Sequence, residues 1–153
     1  MSSSTAPSSL PHWQLESIYP SLDSLEFAAD KRKLADAIDG LAALLDQRCV
    51  RAGANAPTDD GGSAAHVATL EAAIQHLDGC ASLLATIQPF VNLRVATDAF
   101  DERSQAEVSA LRPLTSQYIA LVARFKAWVG GLDLDALSAR STIVADHRYQ
   151  LER

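Results

Sequence analysis

Apolar residues recur at helical spacing over most of the chain, and this periodicity constrains the fold more than any other feature. Phe27, Leu34, Ile38, Leu41 and Leu45 follow one another at intervals of seven, four, three and four. That is one stripe on a helix of 3.6 residues per turn, and it predicts a first long helix over 24–51. Asp23 with Glu26 three residues later has the form of a capping box, with Asp as the cap. Gly40 sits inside the stripe at a cost of about 1 kcal/mol relative to Ala, so it either allows close helix contact or is tolerated.

The stripe Leu70, Ile74, Leu77, Ala81 and Leu84 predicts a second helix over about 64–87. Pro89 must end it or kink it. The apolar run from Phe90 to Ala96 carries no turn signal before "TDAFDE", so continued helix is favoured. The stripe Val108, Leu111, Tyr118, Val122, Phe125 and Val129 predicts a third helix over 102–129, capped by Asp98 or Asp101. Pro113 lies near one end of it, where it can start a new segment or kink the helix. "GGLDLDAL" reads as a glycine stop followed by a short Asp-capped helix, and "STIVADHRYQLER" as one more capped segment. No strand alternation extends beyond a few residues. Three long helices with shorter companions predict an all-α antiparallel bundle.

Between the first two helices, "RAGANAPTDDGGS" (51–63) concentrates Gly, Asn, Pro and Asp without apolar periodicity and predicts a long loop. Residues 1–9 are rich in Ser and poor in apolar side chains, as in a flexible tail, which leaves 10–153 as one helical domain. In the lead-in "LPHWQLESIYPSLDSLEF" (10–27), Pro11 and Pro20 restrict the backbone, and Trp13, Leu15, Ile18 and Tyr19 are expected to anchor it by burial.

Composition excludes several function classes. The net charge of -6 lacks the basic face that nucleic-acid or anionic-membrane binding requires. No apolar run approaches the roughly 20 residues of a membrane span. The start has neither the basic nor the apolar region of a secretory signal, so the default location is the cytoplasm. Cys49 and Cys80 are expected to be reduced thiols.

Catalytic motifs are missing. None of His12, His66, His76 and His147 belongs to a His-Glu-x-x-His, and there is no Gly-x-Ser-x-Gly elbow or phosphate-binding glycine loop. His76 and Cys80, four apart, can share a helix face as zinc ligands. No further ligand pair accompanies them, so a solvated His beside a half-buried Cys is the preferred reading. Asp98, Asp101 and Glu102 are read as capping groups rather than as an acid–base pair, and "DKRK" (30–33) as a solvated face. Phe125 and Trp128 are read as core. No catalytic, cofactor-binding or metal-ligating residue is assigned.

Three segments carry a resemblance. "W-x-L-x-x-I-Y-P-S-L-D-S-x-x-F" (13–27), "NLRVATDAFDERSQA" (92–106) and "RFKAWVGGLDLDALSARSTIVADHRYQLER" (124–153) resemble, in order and approximate spacing, the N-terminal portion of oligoendopeptidase F family zinc metallopeptidases. Two departures accompany it. Pro89 to Asn92 stand where the family often carries aromatic residues, and the 52–63 loop is longer than usual.

The resemblance implies an all-α N-terminal lobe of a longer cytoplasmic peptidase, forming part of the wall of a channel for short peptides. It implies zinc in the parent protein, held in a C-terminal catalytic domain by residues that this chain does not contain, with no zinc in this chain. The partners implied are that catalytic domain and an oligopeptide substrate. An apolar helix face left exposed without the catalytic domain is expected to support a dimer. The alternative from residues alone is a free-standing helical-bundle interaction module.

Overall fold

A computed structural model describes residues 15–53 and 60–151, and the side chains of all these except 60–63. The tail at 1–9 and the prolyl and tryptophan anchors Pro11 and Trp13 lie outside the described residues, as does the centre of the 51–63 loop. A 3-10 turn at Leu15–Ser17 leads into α1 (Leu25–Gln47), α2 (Asp60–Thr97), α3 (Glu102–Val129), α4 (Leu134–Ser138) and α5 (Thr142–Leu151). There is no strand among the described residues, and the all-α expectation holds.

Cross-helix pairs fix the topology. Phe27 meets Phe90, and Gly40 faces His76, so α1 and α2 run antiparallel. Lys31 pairs with Glu107 and Asp46 with Arg124, so α1 and α3 run parallel. The result is an up-down-up bundle. The short α4–α5 hairpin lies against α2. Leu34, Ile38, Leu41, Leu45, Leu70, Ile87, Phe90 and Val129 are almost wholly removed from solvent at its centre. Complete burial of one such side chain contributes about 1.5–3 kcal/mol.

The predicted first stripe is the buried face of α1 in full. The other two shift in detail. Ala81 is exposed, and Ala73, Cys80 and Ile87 fill the α2 core face instead. On α3, Val108, Tyr118 and Val122 are half-buried, while Leu121 and Trp128 are buried. Gly40 is tolerated rather than required, since a Cβ there would meet the His76 ring at 3.5 Å, an ordinary contact distance.

Both prolines sit inside continuous helices, Pro89 in α2 and Pro113 in α3. The continuation beyond Pro89 holds because Phe90 and Val91 are fully buried beyond it. Packing of that magnitude outweighs the lost amide hydrogen bond.

Three local expectations are corrected. The cap of α1 is Ser24, whose hydroxyl accepts from the Phe27 amide at 3.2 Å, while Asp23 turns away to pair with Arg103. The end of α1 is Gln47 rather than Arg51. There Cys49 takes a left-handed φ of 52°, so the Val50 amide reaches back to the Leu45 carbonyl at 2.8 Å and the Cys49 amide to Asp46 at 3.1 Å. These two bonds close a helix end that usually carries Gly at the left-handed position. Ile18 is 39% exposed and does not anchor the lead-in, whereas Leu15 and Tyr19 do. Tyr19 sits edge-on to both Phe27 and Phe90, 5.3 and 5.0 Å between centroids, and so ties the lead-in to α1 and α2.

The remaining caps follow the sequence. Asp101 accepts from the Arg103 amide and from the Ser104 hydroxyl at the start of α3. Asp133 accepts from the Ala136 amide to start α4. Ser141 accepts from the Val144 amide to start α5, and its own hydroxyl donates to Glu71 at 2.6 Å.

Candidate functional site

α5 leaves an open concavity against α2 and α3. α5 packs on α4 and α2. Ser141 near its start meets Glu71, and His147 one to two turns on meets Asp78, so α5 follows α2 in the same direction. An open trough of about 350 Å³ remains between α3 and α5, with α2 as its floor. Leu77, Val122, Phe125 and Leu151 supply apolar surface, and Asp78, Lys126 and His147 supply charge.

The polar groups are held by defined partners. The His147 Nδ1 lies 2.9 Å from the Ile143 carbonyl one turn earlier. Nε2 lies 3.3 Å from the Asp78 carboxylate. Each ring nitrogen thus faces an oxygen acceptor. The Tyr118 hydroxyl donates to the Leu77 carbonyl at 3.3 Å. Burial holds that phenol above its ordinary pKa, with smaller contributions from Cys80 and Asp78. The site can therefore bind an amphipathic group. It has no nucleophile placed against a general base.

The residues considered from sequence fall elsewhere. Cys80 is fully buried and its thiol is pushed up in pKa by that burial, while His76 is exposed and lies over Gly40. The two therefore occupy different environments. Among the described residues no group of three or more His, Cys, Asp or Glu side chains could hold a metal ion. Asp98 accepts from the Phe100 amide and Asp101 caps α3, and Glu102 is exposed at the first position of that helix. The hydrogen bond from Ser104 holds the Asp101 carboxyl below its usual range.

The "DKRK" run is divided among separate partners. Asp30 accepts from Tyr19 and Lys33, and Lys31 pairs with Glu107 over the Phe27 ring. Phe125 and Trp128 are core, with His66 edge-on to Trp128 at 5.7 Å. His12 lies outside the described residues.

Sequence reasoning missed the trough. Asp78, Tyr118 and His147 come from three helices and share no spacing signal. The trace available was "HRYQL" (147–151) near the end of the third resembling segment, because His147 and Leu151 are four apart and both line the trough.

Among the described residues no helix is long and apolar enough to cross a membrane. No protein-family model matches the chain, and neither a curated protein nor a solved structure matches it.

Proposed function

We propose that this chain is the N-terminal helical lobe of an oligoendopeptidase F-like zinc metalloendopeptidase. In this reading it forms part of the wall of a channel that admits short peptides, and it packs on a catalytic domain that carries the zinc. The observation that carries the reading is the ordered set of three resembling segments, 13–27, 92–106 and 124–153. Their arrangement gives support. Asp23 of the first pairs with Arg103 of the second, and the third supplies Phe125, Lys126, His147 and Leu151 to the trough.

The lobe itself contributes shape and binding surface, with no bond-breaking step. Zinc, bound elsewhere in the parent, would polarise the scissile carbonyl and activate water. The exposed side chains Leu25 (83%) and Phe100 (93%) lie close in sequence to the Asp23–Arg103 pair. They are the apolar surface that the catalytic domain would cover, and that a dimer of the isolated lobe would bury.

A second reading, a free-standing helical interaction module, is favoured by one observation: the core closes within the chain, with α1 burying its whole stripe. Reading the coding sequence beyond Arg153 separates the two. Several hundred further residues containing His-Glu-x-x-His support the peptidase lobe, and co-expression of the two parts should then yield peptide hydrolysis. A stop codon at that point refutes it and leaves the interaction module.

A further inference from the structure

We propose that the trough between α2, α3 and α5 binds the C-terminal residue of a short peptide, its apolar side chain on the floor and its carboxylate on Lys126. The inference deepens the peptide-channel reading and rests on it for the class of ligand.

The two charged side chains of the trough, Asp78 and Lys126, differ in whether they have a partner. Asp78 is engaged by His147 at 3.3 Å. Lys126 has Val122, Ala123, Val129 and Gly130 at the positions three and four residues away, so no acid on its own helix can reach it. It makes no ion pair among the described residues. An ammonium left unpaired beside apolar surface, in a chain with 19 acidic and 13 basic side chains, favours a carboxylate from outside.

Apolar surface selects the rest of the ligand. Leu77, Val122, Phe125 and Leu151 form a strip between α3 and α5, and about 350 Å³ accommodates one large side chain with its terminal carboxylate, not a folded partner. Gln150 on the α5 wall can exchange hydrogen bonds with a peptide amide. An acyl chain would leave that partner unused, which favours a peptide over a fatty acid.

The test is calorimetric titration of the full chain with a tetrapeptide ending in Phe, as free acid and as C-terminal amide, beside dodecanoate. The acid is expected to bind about tenfold more tightly than the amide. Lys126 is exposed, so Lys126→Gln leaves the core intact and should abolish that preference. Leu151→Gln should weaken acid and amide alike.

No binding of the peptide acid, equal binding of acid and amide, or a preference that survives Lys126→Gln overturns the proposal. Dodecanoate binding at least as tightly as the peptide overturns the choice of a peptide. A coding sequence with His-Glu-x-x-His and no peptide binding here removes this inference alone. Binding with no peptidase half removes the peptidase reading alone.

Discussion

The Arg124 guanidinium of α3 donates through Nε to the Val50 carbonyl at 2.6 Å, directly behind the point where α1 ends. Its Nη2 donates to the Leu45 carbonyl at 3.0 Å and its Nη1 pairs with Asp46 at 2.6 Å. One side chain thus satisfies two carbonyls of a helix terminus and a carboxylate. Lys carries its three donors on one compact ammonium and lacks the planar fork that spans these separated acceptors. Arg124→Lys is expected to cost about 1.5–3 kcal/mol, read as a lower urea midpoint with an unchanged slope. An unchanged midpoint would show that water replaces the clamp without loss.

The same terminus stores backbone strain. Cys49 holds φ at 52°, in the left-handed region that costs an L-residue about 1–2 kcal/mol. Its side chain is exposed, so removing it leaves no cavity. Cys49→Gly should therefore stabilise the protein or leave it unchanged, since glycine's greater freedom in the unfolded chain offsets part of the relief. Cys49→Val, whose branched side chain tolerates this φ poorly, should destabilise it. Thermal unfolding of the two variants checks the order, and Val at least as stable as Gly would sink the argument.

How much of this was legible in the sequence depends on whether the signal was local. The bounds of α3 agree with its predicted range because Asp101 caps one end and a glycine pair follows the other. The end of α1 was not legible, because Cys49 occupies the position where Gly would announce it. Nor was its start, where Asp23 and Ser24 are both competent caps. The choice falls to Ser24 because Arg103, 80 residues away, takes Asp23. The trough depends on how α5 sits against α2, through Ser141–Glu71 and His147–Asp78, and no periodicity within one helix encodes such pairs.

Tyr19 links the lead-in to α1 by donating to Asp30 at 2.9 Å. Burial first, then that hydrogen bond and the Asp30 charge, push its phenol up to about 12 from an ordinary 10.0. The folded protein holds this proton more tightly than the unfolded chain. Stability present below pH 10 is therefore lost as the pH rises toward about 12. Tyrosinate absorbance should show a late ionisation step at about pH 12 that Tyr19→Phe removes. Tyr19→Phe keeps the ring against Phe27 and Phe90 and should cost about 0.5–1.5 kcal/mol at neutral pH, with a weaker loss of stability on the alkaline side. An identical alkaline slope would place the Tyr19 phenol in water.

The two thiols should differ sharply in reactivity. Cys49 is exposed, whereas Cys80 is fully buried on α2 with its thiol pKa raised by that burial. Thiolate is the reacting form, so burial removes both access and ionisation from Cys80. A disulfide-exchange reagent should modify one thiol of the native protein promptly and the second only at the rate of opening or unfolding. Adding denaturant should make the two equivalent. Cys49→Ser should abolish the prompt phase, while Cys80→Ala, which removes a buried sulfur, should retain it. If both thiols of the native protein react together, α2 does not hold its Cys80 face against the core, and the packing described for that helix is wrong.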